Sequence, residues 1–438
     1  MELWYQPSGD LSRDILRDFW AACILFLFKK IEKGEMDVME TADRIGLDLR
    51  LNGLVIFRNL LEDPAVKAMR ELLETPTQDL RRLAQAYGNF AALLFEKTTS
   101  WSRYLFDLTM QDENLYVKSV CGKEGPSPQL TQCLERELKF LEEFSRLTGS
   151  EALGQAAGQL DFLPSWRTSE LDFKAAYENH LANVQSEGYG IFARYHVFTV
   201  EDGRLVPVKY PDPQRLSQLP GYEKEREKVV ANTLALLRGE AANNVLLYGD
   251  AGTGKSSAVK AIANEYFHEG LRLVEVKKNQ LYQIPELVDG LAANPLKFIL
   301  FIDDLSFTAN DDNFAALKAI LEGSVGGRSK NIAVYATSNR RHLIKETLSD
   351  REGDDIHHGD TMQELMSRSA RFGLTITFSR PDKERFVAIV RELAAQYGVD
   401  MPEEKLIVKA EAFAIRAGGR SPRVAKQFIE LVKSGVPV

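Results

Sequence analysis

From Leu11 to about Glu187, apolar residues recur at helical spacing and strand-like runs are few. Leu80, Leu83, Ala84, Tyr87 and Phe90 fall on one helical face, and Leu130, Leu134, Leu138, Leu141 and Phe144 on another. The pattern predicts a mostly α-helical N-terminal domain over residues 1–188. Gly125-Pro126-Ser127-Pro128 and Leu163-Pro164-Ser165-Trp166 mark breaks between its helical portions. No segment repeats at a fixed period, which argues against a solenoid.

At Gly190 the pattern changes. Ile191, Phe192, Ala193, Tyr195, Val197, Phe198 and Val200 predict a strand, Asp202-Gly203 a turn, and Leu205, Val206 and Val208 a returning strand. Tyr210-Pro211-Asp212-Pro213 stiffens the exit, because proline fixes its own φ and restricts the residue before it. Residues 189–215 therefore read as a β-hairpin and linker. Apolar runs near 245–248, 271–276, 298–302, 331–336 and 373–378 then alternate with helical segments. That alternation predicts an α/β domain over 216–380, built on a five-stranded parallel sheet covered by helices. After Pro381 the strands stop. Helical stretches near 382–397, 403–417 and 421–434 predict a small helical lid over 381–438.

The first of these apolar runs, near 245–248, leads into Gly249-Asp250-Ala251-Gly252-Thr253-Gly254-Lys255-Ser256, a Walker A pattern G-x-x-x-x-G-K-[ST]. The run Ser257 to His268 after it has Ala258, Val259, Ala261, Ile262 and Ala263 at helical spacing. Glycines let a backbone fold tightly enough to aim successive N–H groups at phosphate, and the dipole of the following helix favours an anion. Lys255 would reach the β- and γ-phosphates, Ser256 a magnesium ion, and Ser257 opens the helix behind them. About 50 residues on, Phe298-Ile299-Leu300-Phe301-Ile302-Asp303-Asp304 is an apolar strand ending in two acids, a Walker B arrangement. Asp303, at the carboxyl end of its strand, would hold magnesium, and Asp304 would polarise an attacking water. A flexible glycine loop and a solvated Asp-Asp turn are the competing readings of the two segments.

These motifs, a strand ending in Asn, a late Arg and the helical lid together resemble an AAA+ ATPase from about Leu216 to the chain end. Three stretches, Ala242 to Gly249, Ile302 to Phe307 and Ala336 to Leu343, resemble more narrowly a bacterial P-loop family catalogued as a domain of unknown function (815). The resemblance implies ATP and Mg2+ as ligands and assembly into an oligomer. It places Asn339 at the sensor 1 position, which helps orient the lytic water. Arg371, with Arg368 as competitor, falls where an arginine finger would meet the γ-phosphate of a neighbouring subunit. Arg423, with Arg420 as alternative, fits sensor 2 at the start of the last helix, which Ser421 and Pro422 open. Gly221 and Tyr222 stand where the family contacts adenine, although Tyr222 reads equally as core. Hydrolytic AAA+ proteins usually carry Glu after the Walker B Asp. Asp304 is shorter by one methylene, which makes slow turnover a real alternative.

Composition narrows the rest. The 438 residues suffice for two or three domains, and 44% hydrophobic with 27% charged residues is a globular balance. A net charge of -8 weighs against a chain-wide hold on nucleic acid, without excluding a local basic patch for DNA or RNA. Cys23, Cys121 and Cys133 show no C-x-x-C spacing, which suits a reducing cytosol and small buried thiols. The most apolar stretch, Phe19 to Phe28, is about half the length that crosses a bilayer, so a cytoplasmic chain without a membrane span is expected. The acid- and histidine-rich segment Asp350 to Asp360 reads as a solvated loop rather than a metal site. Tyr282 stands where translocases carry a pore-loop aromatic, but lacks the usual following Gly. Two functions follow: an ATPase that remodels a partner chosen by the N-terminal domain, or a nucleotide-dependent switch of helicase-loader type.

Overall fold

Asp63, Asp79, Ser100, Ser127 and Thr148 each accept a backbone N–H two or three residues ahead and thereby start a helix. The helices are Pro64–Glu74, Leu80–Phe95, Trp101–Gln111, Pro128–Ser145 and Gly149–Leu153. The computed structural model describes residues 38–122, 124–305, 317, 321, 329–339 and 372–437. The chain divides into two compact units, residues 1–120 with 124–178, and residues 121–123 with 179–438.

The described part of the first unit is helical. Leu83, Tyr87 and Phe90 are buried as their spacing requires, as are Leu134, Leu138, Leu141 and Phe144. The ring of Phe90 meets Trp101 and Trp166 edge-on at 5.2 and 4.8 Å, and the two indole N–H groups donate to the carbonyls of Phe144 and Leu147. Glu137 is the exception to the apolar stripe. Its buried carboxylate accepts the N–H groups of Val55, Ile56 and Phe57 at 2.8 to 3.3 Å, donors of a turn of which the last two residues are buried. The thiol of Cys133 also donates to it at 3.2 Å. Burial, then that hydrogen bond, pushes the Cys133 thiol up to about 11, so it is a half-buried thiol and not a reactive thiolate.

In the second unit, seven strands among the described residues form one sheet: β1 Val197–Glu201, β2 Arg204–Pro207, β3 Val245–Gly249, β4 Leu271–Glu275, β5 Lys297–Ile302, β6 Ile332–Ser338 and β7 Leu374–Phe378. Their order is β2-β1-β4-β5-β6-β3-β7, with every pair parallel except the β1/β2 hairpin. Alternate residues of each strand feed the two faces. Val245, Leu247, Ile299, Phe301 and Tyr335 pack with Val229, Val259 and Ile262 on one side. Leu246, Phe298, Leu300, Val334 and Ala336 pack with Ile284, Leu287 and Leu291 on the other. The helices Lys383–Tyr397, Glu403–Arg416 and Pro422–Lys433 join the first of these cores through Phe386, Ile389, Leu406 and Phe428.

The sheet corrects the expected five strands. All five expected runs are strands, and the hairpin, expected beside the domain, adds two more because β1 pairs in parallel with the free edge of β4. The hairpin also starts later than its pattern suggests. Ile191–Arg194 is a short helix entered through Gly190 at φ 61, and it sets Phe192 against Phe198 and Phe298 with centroids 5.0 and 5.3 Å away. Among the described residues no helix is long and apolar enough to cross a membrane.

Replacing Glu137 by Ala strands three backbone donors, two of them in the core. The change is expected to cost about 3 kcal/mol. Thermal unfolding of the full chain should show the transition containing the first unit fall by several degrees, with nucleotide binding unaltered below it.

Candidate functional site

The loop after β3 turns on three glycines in the left-handed region: Gly249 at φ 138, Gly252 at φ 78 and Gly254 at φ 91. At Gly249 a Cβ would also collide with the carbonyl oxygen of Phe378 on β7. That same carbonyl accepts the N–H of Asp250 at 3.2 Å, so the loop is fastened to the neighbouring strand at its first step. Thr253 ties the loop internally, its hydroxyl donating to the Asp250 carbonyl at 2.8 Å. Gly254 then caps the helix Lys255–Tyr266, whose N-terminus presents free N–H groups and the positive end of the dipole.

Parallel pairing of β5 with β6 and of β6 with β3 brings three strand ends together. The hydroxyl of Ser256 donates to Asp303 Oδ1 at 2.6 Å, joining the two Walker motifs directly. Lys255 is buried, and its ammonium donates to the carbonyls of Gly249 and Asp250 at 2.8 and 2.7 Å and to Asn339 Oδ1 at 3.1 Å. Burial holds its pKa below the usual lysine value, against the opposing pull of Asp250, Asp303 and Asp304. Asn339 Nδ2 donates to Asp304 Oδ1 at 2.8 Å, so one amide bridges the P-loop lysine and the second acid. Asp304 itself sits at φ 51, a conformation Asp tolerates better than most residues.

These groups line one cavity of about 250 Å³, together with Ala251, Gly252, Thr253, Gly254, Ser257, Thr337 and Arg423. Arg423 also donates its backbone N–H to the Gly252 carbonyl at 3.1 Å, which sets the start of the last helix on the P-loop. Arg420 is placed elsewhere: its guanidinium makes a two-pronged contact with Glu411 at 2.6 to 3.2 Å. That hydrogen-bonded pairing lowers the Glu411 carboxyl and raises Arg420. The carboxylate of Asp250 accepts the backbone N–H of Arg380 at 2.9 Å, bracing the loop from behind. Tyr222 is core. Its ring stacks on Phe378 at 5.3 Å with Arg385 over it at 4.9 Å, and its hydroxyl donates to the Ser379 carbonyl at 2.6 Å. Burial pushes that phenol up to about 12. Gly221, at φ 72, is closed over by Ile389, and neither residue lines the cavity.

Arg368, Arg371 and the Asp350 to Asp360 loop lie outside the described residues. Thr337 was not singled out from the sequence, although it lies two positions before Asn339 and so shares its side of the strand. For a divalent cation, Ser256 and Asp303 offer a hydroxyl and a carboxylate 2.6 Å apart, the hard oxygen donors that magnesium takes.

A glycine loop opening a helix, an acidic strand end hydrogen-bonded to it and an Asn-terminated strand between them form the arrangement of a P-loop site. The chain belongs to the family described as "Protein of unknown function (DUF815)", which it matches over residues 192–436. Among solved structures, RuvB of Thermotoga maritima, described as a Holliday junction branch migration motor, is 18% identical. The match covers 51% of this chain and 67% of that one, with a TM-score of 0.35. A variant of the same protein is 19% identical over the same shares, with a TM-score of 0.36. Values this low bear on no activity of this chain.

Arg423 and Arg420 make a direct contrast. Arg423→Ala should weaken nucleotide binding about tenfold, roughly 1.4 kcal/mol, whereas Arg420→Ala should leave it within about twofold. Titration of each variant with a fluorescent ATP analogue checks this, and equal losses would contradict the assignment.

Proposed function

We propose that the cavity binds ATP with Mg2+ and that the chain hydrolyses it to ADP and phosphate within an assembly of its own copies. The observation that carries this reading is the continuous chain Lys255–Asn339–Asp304 beside the Ser256–Asp303 pair. It supplies a cation for the phosphates, a hard-oxygen metal site and a carboxylate with a polar partner at the place where a water would attack. Magnesium, held by Ser256 and Asp303, would neutralise charge on the β- and γ-phosphates. Lys255 exchanges its carbonyl contacts for phosphate oxygens. Asp304 and Asn339 would orient the water, whose oxygen bonds to the γ-phosphorus while Asp304 accepts a proton from it, as the bond to the bridging oxygen breaks and ADP leaves. Arg423, carried by the C-terminal helices acting as a lid, links the phosphate state to their position. A neighbouring copy would offer Arg371, and the N-terminal helical unit would select a protein partner in the cytoplasm.

One observation favours a second reading, a nucleotide-dependent switch with little turnover. The Asp304 carboxylate is one methylene shorter than the usual Glu and is already engaged by Asn339 at 2.8 Å. Catalysis depends steeply on such placement.

Two measurements separate the readings. Purified full-length protein should bind ATP with Mg2+, and Lys255→Ala should weaken that binding by about 100-fold or more, near 2.7 kcal/mol; unchanged affinity would refute the site. Steady-state phosphate release should fall about 100-fold or more in Asp304→Asn if a positioned base operates. Equal, near-background release by wild type and Asp304→Asn, with ATP binding intact, would establish the switch instead.

A further inference from the structure

Resting on the ATP and Mg2+ reading, we propose that Thr337 is a positioning residue that sets the two Walker B carboxylates as a pair through its hydroxyl. Thr337 Oγ1 lies 2.5 Å from Asp303 Oδ1 and 2.9 Å from the backbone nitrogen of Asp304. The directions of both bonds follow from their chemistry. A backbone N–H only donates, so the hydroxyl oxygen accepts from Asp304, and its single proton is left for the Asp303 carboxylate. Thr337 is 2% exposed, which limits how far water can take over the role of its hydroxyl.

Each acid depends on this group differently. Asp303 Oδ1 receives three donors, from Ser256, Thr337 and the Asp304 backbone at 2.6, 2.5 and 3.1 Å. Such convergence fixes the rotation of the carboxylate that would meet the metal, as partners beyond the ligands generally do. Asp304 occupies the left-handed region, a conformation that a non-glycine residue adopts only at a cost in free energy. Thr337 holds it there twice, by the hydroxyl on the Asp304 N–H and by its carbonyl on the Leu305 N–H at 2.7 Å. That backbone posture aims the Asp304 side chain at Asn339. Valine matches the shape of threonine and can make neither side-chain bond, while serine can make both.

The test compares Thr337→Val and Thr337→Ser in the full chain, using a fluorescent ATP analogue with and without Mg2+ and then phosphate release. In Thr337→Val the Mg2+ concentration at half-saturation should rise about tenfold and kcat should fall about 10- to 100-fold. Nucleotide affinity without Mg2+ should stay within about twofold, and Thr337→Ser should restore both quantities to within about threefold. Wild-type Mg2+ dependence and kcat in Thr337→Val would overturn the proposal. Failure of Thr337→Ser to restore them would also overturn it, since packing of the methyl group would then be the cause. Should the wild type bind ATP with Mg2+ but release no phosphate, the hydrolysis reading falls, and the Mg2+ half-saturation alone still decides Thr337. Absence of any Mg2+-dependent binding by the wild type would overturn both.

Discussion

Three donors converge on a single oxygen, Oδ1 of Asp303, and they come from three separate strand ends: Ser256 just after β3, Thr337 on β6 and the Asp304 amide just after β5. Three donors on one oxygen fix the rotation of that carboxylate. The convergence exists because β5, β6 and β3 are neighbours in parallel register, with Ile302 opposite Ala336 and Leu247 opposite Thr337. A slip of one residue in β6 would turn Thr337 and Asn339 to the other face and dissolve the site. The apolar faces of those strands prevent that slip, since Tyr335 belongs to one core and Val334 with Ala336 to the other.

The P-loop is braced from both sides as well. Gly249 approaches β7 so closely that no side chain fits, and the Asp250 N–H and carboxylate bind the Phe378 carbonyl and the Arg380 amide. On the opposite flank the last helix rests on the loop through the Arg423 N–H and the Gly252 carbonyl. Under the proposed function, movement of the C-terminal helices would be felt directly at the loop backbone, without a long relay. This is a physical basis for coupling ligand to helix position, because both depend on the same few hydrogen bonds.

Much of the fold was legible because local pattern and tertiary outcome agree. The five expected strands are strands, since runs such as Phe298 to Ile302 are apolar on both faces and only a doubly covered sheet can bury them. The hairpin was legible from its Asp202-Gly203 turn, but its partner was not. Edge pairing of β1 with β4 depends on backbone groups that carry no sequence signature. Ile191 and Phe192 were misread because a short apolar run suits a strand or a helix equally, and here the packing of Phe192 on Phe198 and Phe298 decided for helix. Tyr222, which the family resemblance sets at an adenine contact and which reads equally as core, has its ring occupied by Phe378 and Arg385.

By itself the sequence determined the chemistry of the P-loop, because glycine φ values, a lysine and a serine act over eight consecutive residues, where spacing along the chain is spacing in space. It determined in the same way that Asp303 and Asp304 end a buried strand. Only the tertiary structure decided which distant groups meet them. Thr337, Asn339 and Arg423 arrive through sheet register and helix packing, and the choice of Arg423 over Arg420 follows from the ion pair that Glu411 offers to one of them. Those decisions are made by long-range packing and electrostatics, which the order of residues encodes only through the whole fold.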